Sequence, residues 1–346
     1  MQLPVDVKAV IDEAMNIDEA RRTPLSVSVY IDESAPGDVQ AHVRQAFASA
    51  SPHARVSLTY LDGRTLAPYP GDDMAVIVAG LGEQVGRCAE QIRQAGVPVM
   101  VATTLPSLVA EIAQASGHPV PQGDIVAPKA PCALPEPSPA GREAAPCEPV
   151  ALDAAAAASL SELMGGWVVA ACEDKRLAFA LAFPFVRKPL SMESVNATAL
   201  QNAGVGLLVV IPGADMPVMT LNQAKMLLMI AAAYGEELNL ARVKELAALV
   251  GGAFACRAVA RQLAAFVPAL GWAVKAAIGY AGTQAMGRAA IEYYEGEALG
   301  KLAEAVGAAR DRAVQAAARS AAQRARATGA TAARAVRAAV AGKVGR

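Results

Sequence analysis

Residues 74–102 read MAVIVAGLGEQVGRCAEQIRQAGVPVMVA. The first six are apolar without a break, as in a strand covered on both faces. Gly80, Gly82 and Gly86 then mark a tight turn, and residues 84–95 carry apolar positions at helical spacing. A second apolar run, residues 97–102, closes a strand–helix–strand unit. The same alternation extends outward. Residues 25–31 (LSVSVYI) and 55–61 (RVSLTYL) read as strands, and residues 39–48 and 105–116 as helices. Strands alternating with helices predict a parallel α/β sheet of Rossmann-like type over residues 1–118, with an amphipathic helix at residues 4–22 ahead of it.

Residues 119–149 hold nine prolines. Proline fixes φ and removes a donor, so residues 119–150 are expected to form an extended linker. Beyond it the chain reads as helix, at residues 151–172, 174–183, 191–210, 218–233, 240–266 and 271–295, with a break expected at Gly165-Gly166. The fold class is therefore α/β plus all-α: a small sheet domain, a Pro-rich linker and a helical domain at residues 151–298. A basic, Ala/Arg-rich helical tail follows at residues 299–346. Of the residues, 54% are hydrophobic but only 4% aromatic, an excess of Ala, Val and Leu that suits packed helices. The net charge of −1 hides an asymmetry. Residues 301–346 carry ten Lys/Arg against Glu304 and Asp311, a net of +8, leaving −9 for the rest.

The helical domain contains an apolar hairpin. Between Glu193 and Asp215 lie 21 uncharged residues, about 31 Å of helix, enough to cross a hydrocarbon core of about 30 Å. The corner is IPGADMP, residues 211–217. The return helix carries Asn222, Gln223 and Lys225, which a clean second span would avoid. One hairpin, inserted fully or partly, is the expectation, with a soluble Ala-rich bundle as its rival. A basic stripe of Arg312, Arg319 and Arg326 in the tail suits anionic lipid, and the lack of aromatics there argues against nucleic acid.

Catalytic chemistry is sparse. No GxxxxGK[ST], GxSxG or HExxH motif occurs. Gly80, Gly82 and Gly86 form G-x-G-x-x-x-G at a helix start, where backbone N–H groups can hold phosphate. The same glycines also suit a plain strand-to-helix turn. Asp32 and Asp62 follow strands and could meet at the sheet edge. The histidines His42, His53 and His118 share no ligand spacing and read as surface residues. The five cysteines show no CxxC, so neither zinc nor a disulfide framework is indicated, and a reducing cytoplasm is the default. No cofactor and no catalytic residue is expected. Polar side chains cluster instead in the helices: Asp215, Asn222, Gln223 and Lys225 around the hairpin, Asn196, Gln201 and Asn202 on its outgoing arm, and Arg257 and Arg261 later. They either pair across helices and fix register, or form a switch built on Asp215 and Lys225.

The runs FVRKPLSMESVNATALQNAGVG, IPGADMPVMTLNQAKMLLMIAAAYG and VGGAFACRAVARQLAAFVPALGWAVKAAIGYAGTQAMGRAAIEYYE resemble the bacterial family of domain of unknown function 697, over about residues 186–295. That family is helical, usually assigned to membranes and often found with GTPase domains. The resemblance implies membrane association and a GTPase-related role, with the GTPase either a separate partner or the N-terminal domain in degenerate form, and it carries over no catalytic residue. The sequence thus predicts a non-enzymatic accessory or scaffold protein at the cell membrane, with membrane lipid as a partner and its α/β domain cytoplasmic. A nucleotide-binding protein using Gly80, Gly82 and Gly86 is the enzyme-class alternative. A soluble homo-oligomeric scaffold is the third.

Overall fold

The computed structural model of the chain describes residues 19–49, 51–62, 67–129, 148–208, 215–236 and 271–296. Two units divide it, residues 1–291 and 292–346. In the second, the described residues are a helix end, where the Tyr293 and Tyr294 rings meet edge to face at 5.3 Å. The 4–22 helix (except Glu19–Arg22), the 240–266 helix, the corner at residues 211–214, Arg257, Arg261 and the basic tail lie outside the described residues.

The first unit is built on a five-stranded parallel sheet in the order β2-β1-β3-β4-β5. The strands are β1 (Leu25–Ile31), β2 (Ala54–Tyr60), β3 (Met74–Val78), β4 (Val99–Ala102) and β5 (Ile125–Val126). Its helices are α1 (Gly37–Ala46), α2 (Gln84–Gln94) and α3 (Pro106–Ala115). The unbroken apolar run of β3 separates by alternation. Met74, Val76 and Val78 enter one core with Val39 and Val43 of α1, whereas Ala75, Ile77 and Ala79 enter another with Ile92 of α2 and Val109 of α3. Helices therefore cover both faces. The chain order reverses between β1 and β3, the place where open α/β sheets bind ligands.

β1 follows a different rule. Its Ser26 and Ser28 face away from the α1 core, under a connection from β2 to β3 that has no helix among its described residues. In place of apolar packing, Asp72 accepts from Ser26 Oγ at 2.7 Å and from Ser28 Oγ, while Asp73 accepts from Ser26 N–H at 2.9 Å. Arg55 pairs with Asp72 at 3.3 Å, and Lys175 with Asp73 at 2.6 Å. Alternating serines in β1 are thus the imprint of a polar strap.

Two sequence expectations change here. Residues 125–126, inside the predicted linker, form β5, because Gln122–Val126 is free of proline and can offer its backbone to β4. Nor do residues beyond 150 part from the sheet. Helix α4 (Ala154–Ala171), capped by Asp153 through Ala156 N–H, aligns Leu160, Met164 and Val168 against the α1 side of the sheet. It runs unbroken through Gly165-Gly166. At Gly165 a side chain would meet the Phe185 carbonyl at 2.5 Å, so the missing Cβ permits a close approach and makes no break. Helix α5 (Arg176–Ala182) continues that core, where Phe47 meets Phe183 at 5.4 Å and Phe185 at 5.0 Å. The sheet and the first helices beyond the proline-rich stretch share one hydrophobic core.

Helices α6 (Arg187–Leu208), α7 (Asp215–Ala233) and α8 (Gly271–Tyr294) complete the described helices. The first two are the arms of the predicted hairpin, and α6 starts four residues before its sequence estimate, at the Arg187-Lys188-Pro189 step. Of the described helices, α4 alone is long and apolar enough to cross a membrane, and it lies against the sheet; Val218–Ala233 is a shorter apolar stretch.

Candidate functional sites: the sheet edge and the polar core of the helices

At the reversal point, β1 delivers Asp32 and β3 delivers the glycine turn. Asp32 is 3% exposed. Its Oδ2 accepts from Gly80 N–H at 3.0 Å, Gly82 N–H at 2.9 Å and Ser34 Oγ at 2.7 Å, and its Oδ1 from Ser34 N–H at 3.2 Å. Ser34 Oγ accepts in turn from Leu81 N–H at 2.8 Å. The backbone donors that could cradle a phosphate are therefore directed at a carboxylate belonging to the chain. A phosphate would have to displace an anion that is covalently tethered and already desolvated.

The glycines have steric roles in the same turn. A Cβ on Gly80 would stand 2.3 Å from the Ser34 carbonyl carbon, and one on Gly82 would stand 2.7 Å from the Asp32 carboxylate oxygens. Gly86 lies farther along, on α2, against the His118 carbonyl. Asp62 is exposed beyond β2, whereas Asp32 is buried.

A second carboxylate occupies the neighbouring edge position. Glu148, at the far end of the proline-rich stretch, accepts from Ser107 N–H at 2.9 Å and Leu108 N–H at 3.2 Å, capping the α3 N-terminus. Val150 N–H donates to Thr104 O at 3.0 Å beside it. Two places where a parallel sheet presents donors to an anion are filled from within.

Other reactive groups are held quiet. Burial pushes the Cys172 thiol up to about 12, with Asp73 adding to the shift and Lys175 opposing it. Burial likewise raises Cys88. His42 is half-buried, its Nε2 2.9 Å from Ser161 Oγ of α4, and desolvation lowers its pKa; the surface placement expected for it does not hold. His118 pairs with Glu90. Among the described residues no cluster of three or more His, Cys, Asp or Glu side chains could hold a metal.

The helices hold the denser polar constellation. Asn202 of α6 donates through Nδ2 to Thr283 Oγ1 of α8 at 3.0 Å, and Gln223 of α7 donates to the same oxygen at 2.9 Å. Thr283 passes its own proton to the Gly279 carbonyl at 2.8 Å. Asn222 donates to Asn202 Oδ1 at 3.0 Å, and Gln284 to Asn196 Oδ1 at 2.7 Å. Asn202, Gln223 and Thr283 are fully buried, so this network joins three helices around one hydroxyl. The helices come close enough because α8 is small there. A Cβ on Gly287 would stand 2.2 Å from Val195 Cγ2 of α6.

Of the residues singled out in the sequence, Asn202, Asn222 and Gln223 come together, and Asn196 pairs separately with Gln284. Lys225 is exposed on α7, away from that core, and Asp215 is the first residue of the helix. Thr283 and Gln284 were missed, although Gly279-x3-Thr283-x3-Gly287 gives small residues at four-residue spacing, the pattern that lets helix backbones approach.

Outside this polar core, exposed apolar side chains on the two arms stand beside exposed Gln201. Leu200 is 71% exposed and Val218 46%, on α6 and α7 respectively. Comparison of the chain with protein-family models, with curated proteins and with solved structures finds no match.

Proposed function

We propose that the protein is a non-catalytic, membrane-associated accessory protein that engages lipid through the α6–α7 hairpin end. The carrying observation is the inverted polarity of that region. Amides and a hydroxyl (Asn202, Gln223, Thr283) are fully enclosed, while Leu200 and Val218 face outward. In water that arrangement exposes apolar area, at about 25 cal/mol per Å²; against acyl chains it removes the penalty and strengthens the internal polar contacts. The exposed Lys225 and Arg288 lie two or more turns along α7 and α8 from the residues at the hairpin end, suited to phosphate headgroups above a shallow insertion.

The α/β part serves as the cytoplasmic platform, since Asp32 fills the ligand position that a nucleotide would need. The resemblance over residues 186–295 makes a separate GTPase the candidate protein partner. Cell fractionation tests this reading. The chain should remain with membranes in high salt and leave them only in detergent. Recovery of the intact chain in the soluble fraction at ordinary ionic strength would overturn it.

A further inference from the structure

The outer edge of β2 offers a second surface. This seven-residue strand (ARVSLTY) stands first in the sheet, and among the described residues no strand pairs with its outer side. Leu25 N–H donates to His53 O at one end and Leu61 N–H to Ile31 O at the other. The alternation of a parallel ladder then directs the backbone groups of Arg55, Ser57 and Thr59 toward β1. Those of Val56, Leu58 and Tyr60 point outward. The same three residues carry exposed apolar side chains, at 37%, 45% and 44%.

Edge strands are ordinarily guarded by charge, proline or a bulge. β2 pairs with β1 in unbroken register and contains no proline. Its one charge, Arg55, is drawn onto Asp72 at 3.3 Å and over the Tyr69 ring at 5.0 Å. Among the described residues no proline or bulge protects the edge, and its second nearby charge, Arg44 of α1, is drawn onto the Tyr60 hydroxyl and over its ring at 5.5 Å.

We propose that β2 pairs antiparallel with β2 of a second copy of this chain, about a two-fold axis at Leu58, joining two sheets into one. A two-fold contact requires a pattern that matches its own reversal. Here Leu58 meets Leu58, Val56 meets Tyr60, and on the opposite face Ser57 meets Thr59, a favoured cross-strand pair. Each of Val56, Leu58 and Tyr60 exchanges both backbone bonds with its partner, giving about six hydrogen bonds. The reversal-matched order of side chains, rather than charge, favours a copy of this strand over an unrelated peptide.

The test uses the full chain with Cys132, Cys147 and Cys256 replaced by serine, carrying either Leu58→Cys or, as a control on α3, the exposed Leu108→Cys. Directly opposed Cα atoms about 5.5 Å apart fall within disulfide range. Mild oxidation with diamide should convert most of the Leu58→Cys protein to a disulfide-linked dimer and leave the Leu108→Cys protein monomeric on a non-reducing gel. With wild-type and variant chains in one and the same detergent, Leu58→Lys in the otherwise unaltered chain should halve the mass seen by light scattering, with the circular dichroism unchanged. Equal cross-linking of the two cysteine variants, or a mass that Leu58→Lys does not alter, overturns the proposal. That result would assign the edge to residues 1–18 of the same chain or to a different protein.

Discussion

The sheet edge and the helical core both bury polar groups, but toward opposite ends. At the edge, Asp32 and Glu148 satisfy backbone donors that an outside anion could have used. In the helices, Thr283 satisfies side chains from two neighbours, while Leu200 and Val218 stay exposed outside. In the first region the backbone donors are taken up by the chain's own carboxylates. The second is stable inside and incompletely covered outside. Parallel sheets can bind anionic ligands where the turn after a strand keeps its donors free; here the Gly80 and Gly82 donors go to Asp32.

The largest expected effect comes from Asp32→Ala. It strands the desolvated N–H groups of Gly80 and Gly82 and removes a partner of Ser34, so a loss of about 3–5 kcal/mol in urea unfolding is expected. A loss below about 1 kcal/mol would mean that water replaces the carboxylate and that the edge is open to ligands. The wild-type chain should accordingly show no thermal shift with millimolar nucleotide, since a ligand at ten times its Kd would contribute about 1.4 kcal/mol.

Next in size is Thr283→Val, which keeps the shape and leaves the Asn202 and Gln223 amides without their common acceptor. The expected cost is about 2–4 kcal/mol. Adding Gln223→Leu should cost less than the two single changes summed, and a double-mutant cycle reads that coupling. Strict additivity would break the view of one network. Gly287→Ala, whose new methyl would press on Val195, should cost about 1–3 kcal/mol by the same unfolding measurement.

Smaller still is Glu148→Gln. It retains an acceptor and loses charge at the α3 N-terminus, for about 0.5–1 kcal/mol at low salt and less at high salt. Cys172 gives a kinetic check. With its pKa pushed up to about 12, roughly one thiol in ten thousand is ionised at pH 8, and native alkylation should be far slower than for an exposed thiol. Mass spectrometry after timed iodoacetamide treatment measures it.

Much of the architecture could be read in advance. The apolar run 74–79, the helix spacing at residues 84–95 and the strand-like run 25–31 each map onto a local rule, and the strands formed within a few residues of their expected places. β5 escaped because a two-residue strand has no periodicity, and it sits between prolines. The role of α4 escaped because an Ala-rich helix gives little indication of which neighbour it packs against; only the contacts of Leu160, Met164 and Val168 decide it.

At the site level, Asn202, Asn222 and Gln223 were visible as polar exceptions in apolar helices. Thr283 was not, since a threonine among alanines and glycines is ordinary until its partners are known. The Asp32–Gly82 contact was also hidden. It needs β1 and β3 to be neighbours, a fact of topology that the local spacing of neither segment contains.

The claim that matters most is that the hairpin end meets lipid. Flotation of the full chain with anionic phospholipid vesicles in high salt tests it directly, with Leu200→Asp/Val218→Asp as the comparison. The wild-type chain should float with the vesicles and the folded double variant should stay at the bottom of the gradient. Equal flotation of both, or of neither, would contradict it.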